Sequence, residues 1–311
     1  MTDRVYKPRR PVNREVVSLY AMTIPLVMMV VVFAYLPIVG WSIAFFNYII
    51  GVPLFDTEFV GLRYFRQFLL QNPQAFLKAV RNTLAMAFLS LIAAVFPVIL
   101  ALAINNLRRS GYRRFVQSTT TFPHFISFTI VYSVFVAFFS IDDGVINMII
   151  RRLGIAERGF DPLVMPRLTW FFQVFIVEAW KTAGWQSIIY IAALTAIDPQ
   201  LYEAAEIDGA SRWQKFLAVT LPGIVPTFMI LQLIRIGHLL SGANFQQIVV
   251  FHNALVHDYI ETLDYFVYRR GIQNYEFSYA MAVDIFRTVV STILILTVNR
   301  LAKRLTGRSI I

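Results

Sequence analysis

The chain has no cysteine among its 311 residues. That absence excludes a disulfide, a thiolate-held metal and a thiol nucleophile. Charge is scarce as well: Asp, Glu, Lys and Arg make up 15% of the residues, where soluble domains carry about a quarter. No Gly-x-x-x-x-Gly-Lys-Ser/Thr phosphate loop occurs, so a nucleotide-driven motor of that kind has to sit on another chain. His124, His252 and His257 lack metal-ligand spacing with one another, and helix-end or loop hydrogen bonding accounts for them without a metal. The acids Asp142-Asp143 precede Gly144 in a turn and call for no catalytic role.

What the chain has in abundance is apolar residues, 58% of the total, with a mean hydropathy of +0.62. They fall into long blocks. A bilayer core about 30 Å thick needs roughly 20 mainly apolar residues per spanning helix. Six blocks reach or approach that length, over about 19–46, 80–104, 116–139, 168–196, 223–240 and 277–298. The pattern predicts an all-α polytopic membrane protein with six transmembrane helices. The first block is too long for a signal-peptide core and no small-residue cleavage site follows it, so it is expected to stay as an anchor.

The net charge of +10 is distributed, not gathered into a nucleic-acid patch. Basic residues cluster at the ends of apolar blocks: Arg4 to Arg14, Arg108 to Arg114, and Arg300 to Arg308. The positive-inside rule then places both termini in the cytosol, with residues 1–18 as a cytoplasmic N-terminal segment. External segments follow at 47–78, where short amphipathic helices near the interface are expected, and at 140–167 and 241–276.

One long polar segment, 198–222, falls on the cytoplasmic side. Asp198 suits a helix N-cap and Pro199 the first helical position. Gly209 suits the left-handed residue that ends a helix. Ser211 and Gln214 have capping-box spacing for the next helix, and Pro222 marks the start of span five. This predicts two short helices meeting at a sharp corner. Ala204 and Ala205 leave room for a close protein approach, with Glu203, Glu206, Asp208, Arg212 and Lys215 around them. A plain solvated loop is the alternative.

Glu203-Ala204-Ala205, Gly209, Val219 and Leu221-Pro222 at this spacing resemble the EAA loop of ABC importer permeases; Val219 stands where the family pattern has Ile. The likeness extends to Phe59-Val-Gly-Leu, Asn82-Thr83-Leu84, Pro123-His124-Phe125, and Trp180-Lys181 with Gly184-Trp185. These look like the carbohydrate type, polysaccharide branch, which includes alginate and aldouronate oligosaccharide permeases. The resemblance implies a type I ABC importer permease fold in a bacterial inner (cytoplasmic) membrane, working by alternating access. It implies that Glu203, Ala204, Ala205 and Gly209 dock on an ATPase subunit, with Asp208 and Arg212 beside them. Implied partners are a homologous second permease in a heterodimer, two ATPase subunits carrying ATP and Mg, an extracytoplasmic solute-binding protein and an oligosaccharide. No cofactor or metal on this chain is implied.

Charges within spans mark pathways or internal pairs. Glu178 and Lys181, Gln232 with Arg235 and His238, and Asp284 with Arg287, Thr288 and Ser291 each share a helix face. Glu178–Lys181 and Asp284–Arg287 have the spacing to neutralise each other. Arg235 has no acid on its own helix; Glu178, Asp284 or a watery cavity are the alternatives. Trp180, Lys181, Trp185, Arg235, His238 and Asn244 are the candidate cargo contacts, because aromatic faces suit sugar rings while guanidinium and amide groups suit carboxylates and hydroxyls. An excess of cation there would favour an acidic sugar. The competing readings are an importer permease for peptides or amino acids, a membrane enzyme acting on glycans, and a secondary transporter. No convergent acid/base or metal constellation supports the enzyme; the cornered cytoplasmic segment has no purpose in a secondary transporter.

Overall fold

The computed structural model describes residues 14–155, 159–240 and 245–306. Helices dominate. Long apolar runs satisfy every backbone group internally, as a lipid solvent requires. Helix α1 covers residues 14–45, α2 63–71, and α3 Pro73–Asn105. Then come α4 (Ser110–Phe125), α5 (Phe128–Phe139) and α6 (Val145–Arg152). Helix α7 spans 166–195, α8 Pro199–Ile207 and α9 Arg212–Gly237. The chain closes with α10 (Phe245–Phe251), α11 (His257–Ile260), α12 (263–273) and α13 (Phe277–Thr306).

Among the described residues, α1, α3, α9 and α13 each contain an uninterrupted stretch long and apolar enough to cross a membrane, and α4 with α5 make a fifth crossing if taken together. Helix α7 has the length of a sixth but carries Gln173, Glu178, Lys181 and Gln186. Its polarity has a physical reason: Gln173, Lys181 and Ser187 are buried with Phe172, Val174, Val177, Tyr190 and Leu194 against other helices, while Phe171, Ile176, Trp180, Trp185 and Ile189 form an exposed apolar face. The opposite holds for α1, whose apolar side chains are exposed from Val17 to Val39 and become covered from Trp41 on, where Ala44 and Phe45 pack with Val283 of α13.

Three expectations need correction. The block 116–139 is not one straight span; α4 and α5 meet at a bend of 102°. Pro123 lacks an amide hydrogen, and the Ser127 hydroxyl starts a new helix by accepting from the Ile130 amide. The segment 241–276 is not simply external. Within its described part, Ile248, Phe251, Ile260, Leu263 and Phe266 are almost fully buried among α3, α5, α7 and α13. Asn82 on α3 holds it there, donating to the carbonyls of Asp258 and Glu261, while Thr83 Oγ1 accepts from the Leu263 amide. Finally, the second helix of 198–222 does not stop at Pro222. It runs on as α9, and the turn ahead of the proline, 216–220, widens to i→i+5 bonding.

Helices α7 and α4 touch at backbone distance. A Cβ at Gly184 would stand 1.9 Å from the Thr120 carbonyl oxygen, so only glycine fits.

Candidate functional site: a capped corner and a charged cavity

The corner between α8 and α9 is built as local chemistry dictates. Asp198 caps α8 through the Gln200 amide at 2.9 Å. At its other end the Ala210 amide reaches the Ala205 carbonyl and the Gly209 amide the Glu206 carbonyl, with Gly209 at φ +72°. That is a Schellman ending, which requires a left-handed residue. Open space surrounds the site of a Gly209 Cβ, so backbone conformation alone selects glycine there. Ser211 and Gln214 form the reciprocal capping box that begins α9.

Two further contacts stiffen the corner. Lys215 Nζ lies 2.8 Å from Glu206 Oε2, and the Tyr202 hydroxyl lies 3.0 Å from Thr220 Oγ1. The Lys215 ammonium also holds the Glu206 carboxyl below its ordinary pKa. Glu203, Ala204, Asp208, Gly209 and Arg212 are exposed and Ala205 half-buried, all on one protruding knuckle. Ile207 and Trp213 are exposed beside them, the former at 87%. Neither was singled out from the sequence, although an isoleucine between Glu206 and Asp208 on a capped polar helix is itself a signal.

At the far end of α9 lies a cavity of about 760 Å³. Helix α3 contributes Thr83, Met86 and Ser90, α7 contributes Glu178, and α9 contributes Arg235 with His238 just past its end. Phe245 and Ile248 of α10, Asp264 and Tyr268 of α12, and Asp284 and Arg287 of α13 close the other sides. The partly buried segment 245–273 thus supplies one wall of the cavity. Glu178 ends a widened stretch of α7, 172–178, and accepts from the Ser90 hydroxyl at 2.9 Å. Arg235 donates to Gln186 Oε1 and the Ser90 carbonyl, and Gln232 to the Leu91 carbonyl. Arg287 is gripped by Asp284, at 2.6 Å, and by Asp264. The spacing of Asp284 and Arg287 therefore does produce a pair, with a third member from another helix.

Of the candidate cargo contacts, Arg235 and His238 line this cavity. Lys181 is buried elsewhere. Its three ammonium hydrogens go to the carbonyls of Pro123, His124 and Ile126, bracing the bend between α4 and α5. Trp180 and Trp185 are about half exposed outside the cavity; Trp185 stacks on His124 with centroids 4.7 Å apart. Asn244 lies outside the described residues. The cavity's fixed charges are three carboxylates, Glu178, Asp264 and Asp284, and two guanidiniums, Arg235 and Arg287. An excess of cation is not what this wall carries. Among the described residues no group of His, Asp or Glu is arranged to hold a metal.

Residues 93–309 match the family described as "Binding-protein-dependent transport system inner membrane component". The chain is 38% identical over 288 residues to Protein LplB of Bacillus subtilis (strain 168), covering 92% of this chain and 88% of the relative. It is 37% identical over 290 residues, with the same coverages, to the polygalacturonan/rhamnogalacturonan transport system permease protein YteP of that organism. Among solved structures, a chain of a bacterial ABC transporter involved in the import of the acidic polysaccharide alginate superposes with a TM-score of 0.83. Sequence identity there is 34%, and 94% of this chain and 97% of that chain are covered. A crystal structure of a bacterial alginate ABC transporter in complex with an alginate pentasaccharide-bound periplasmic protein gives 0.84, at 35% identity, covering 95% and 97%.

Proposed function

Because the chain belongs to the family of binding-protein-dependent transport system inner membrane components, we propose that it forms one half of the translocation pathway of an ATP-driven importer and that its cargo is an acidic oligosaccharide. The observation that carries this reading is the likeness, over more than nine-tenths of the chain, to a transporter chain serving alginate import and to a permease named for polygalacturonan and rhamnogalacturonan. Such relatives favour a sugar over a peptide or amino acid. Acidity of the cargo rests on them and not on the charge of the cavity.

In this reading both termini are cytosolic, a homologous permease supplies the other half of the pathway, and two ATPase subunits hold ATP and Mg. A solute-binding protein delivers cargo from outside. The cytoplasmic knuckle docks on an ATPase subunit through Glu203, Ala204, Ala205, Asp208, Gly209 and Arg212, with Ile207 and Trp213 as apolar anchors of the kind that dominate interface energetics. Helix α9 then acts as a rod. It has 26 residues, about 39 Å at 1.5 Å per residue. One end is tied to the knuckle by the Glu206–Lys215 bridge, and the other carries Arg235 and His238 into the cavity. Displacement of the knuckle on ATP-driven closure is thereby transmitted to the cargo wall, which is how alternating access is produced.

The test is a reconstituted complex with its binding protein, assayed for ATPase stimulation across neutral and acidic oligosaccharides. Stimulation by uronate oligomers above neutral ones supports the reading; stimulation by peptides or amino acids, and by no sugar, refutes it.

A further inference from the structure

Asp264 stands apart from the other cavity charges. Its side chain is only 10% exposed, and one carboxylate oxygen is engaged by Arg287. The second oxygen, Oδ2, is buried with no hydrogen-bond partner, in a residue that lines the cavity. A carboxylate oxygen left unsatisfied in a desolvated place is costly, so such an atom calls for a donor that arrives with a ligand.

The surroundings say what kind of donor. A carboxylate of the cargo is unsuitable, because carboxylates already outnumber guanidiniums on this wall and a further negative charge beside Asp264 is repelled. A metal cation is disfavoured by the Arg287 guanidinium seated between Asp264 and Asp284. A neutral hydroxyl fits: it donates one hydrogen and adds no charge. One turn along α12, the Tyr268 ring lines the same cavity and packs edge-on against Phe245, with centroids 5.4 Å apart. An aromatic face next to a carboxylate acceptor matches a sugar ring, which has an apolar C–H face and hydroxyls at its rim.

We propose that Asp264 is a specificity-determining residue of the pathway, whose carboxylate turns when cargo enters, so that Oδ2 meets the cavity and accepts a hydroxyl of the oligosaccharide, and that Arg287, fixed by Asp284, is the positioning residue that holds its other oxygen. This wall therefore reads hydroxyls. It rests on the oligosaccharide reading above and adds to it a division of labour: cargo carboxylates are met away from Asp264, by Arg235 and by other surfaces of the assembly.

The experiment uses the whole complex in nanodiscs with its binding protein. Trisaccharides of galacturonate, mannuronate and arabinose are screened first on the wild type, and singly deoxygenated derivatives of the stimulating sugar are then compared on wild type and Asp264→Asn. Each comparison takes the ratio of half-saturating concentrations, so that the contribution of the binding protein cancels. For one deoxygenated derivative, the wild type should be penalised about tenfold, as expected for loss of a charge-assisted hydrogen bond. Asp264→Asn should shrink that penalty to about twofold while leaving the other derivatives' ratios unchanged. If Asp264→Asn fails to assemble, Asp264→Glu, which keeps the charge for Arg287 and displaces the oxygen, is judged by the same ratio. Unchanged ratios for every derivative, or an equal loss of maximal rate with all of them, would overturn the assignment and leave the oligosaccharide reading standing. A wild type that responds to no trisaccharide of the panel defeats both.

Discussion

Lys215 reaches back across the Gly209 corner to Glu206, 2.8 Å away, and so joins the first turn of α9 to the end of α8. Since α9 runs unbroken from that turn to the cavity, the bridge links a surface knuckle to a charged wall about 39 Å away along one rigid element.

Removing the bridge should loosen that linkage without unfolding either helix, because each is capped on its own account. For Lys215→Met we expect more ATP hydrolysed per cargo molecule delivered, read as the ratio of ATPase rate to uptake in proteoliposomes. The Lys215 ammonium holds Glu206 ionised below its ordinary range, so the bridge is lost only as pH falls through that depressed value, and this coupling ratio should be flat across neutral pH.

Gly209→Val forces a β-branched residue into φ +72°. The strain is about 1–2 kcal/mol, and since space is open there, the change reshapes the corner instead of clashing. Cargo-stimulated ATPase activity should fall while the chain still inserts into the membrane; unchanged stimulation counts against the role given to the corner.

Gly184→Ala should act through packing alone. Its Cβ has no room against the Thr120 carbonyl, and overpacking of this kind costs about 1–3 kcal/mol. The thermal midpoint of the purified complex should drop, and α4 and α7 should separate detectably in a distance measurement between spin labels.

Arg235→Ala removes one of the two cavity guanidiniums. Uptake of acidic oligosaccharides should fall more than that of neutral ones, measured as transport in proteoliposomes. Equal loss on both shows that Arg235 serves only its contacts with Gln186 and Ser90.

His252 gives a pH prediction. Its Nε2 lies 2.8 Å from His257 Nδ1 and its ring stacks on Tyr265; His257 in turn lies 3.4 Å from Glu261, which Arg269 also holds. Burial, then the charges of His257 and Arg269, lower the His252 pKa from 6.5 to about 4. Between those values the opened segment takes up a proton that the packed segment excludes. Packing of 245–260 is therefore full above the upper value and weakens as pH falls towards the lower one. Hydrogen exchange of this segment, corrected for intrinsic rates, should quicken from neutral to mildly acidic pH, and His252→Gln should remove much of that dependence.

The corner was legible in the sequence because its determinants are local. Asp198, Pro199, Gly209, Ser211 and Gln214 act within a few residues of themselves, and the structure realises each cap. Apolar block length likewise located the long helices. The bend between α4 and α5 was less legible, since Phe-Pro-His-Phe is apolar enough to pass for a continuous span, and what braces the bend is Lys181, more than fifty residues away. Asp264 was missed for a related reason. The polar residues His252, Asn253, His257, Asp258 and Glu261 make its neighbourhood look external, and long-range bonds, among them those from Asn82, Thr83 and Trp170 and from Gln247 to Gln173, draw that segment into the bundle.

The absence of native cysteine makes the central claim directly testable. A single cysteine placed by Ala204→Cys can be probed in membrane vesicles of either orientation and crosslinked to a copurifying ATPase subunit. The account predicts labelling only from the cytoplasmic face and a crosslink to the ATPase that strengthens or weakens with nucleotide state. Labelling from the outer face, or a fully exposed cysteine that crosslinks to no ATPase in an assembled complex, would contradict it.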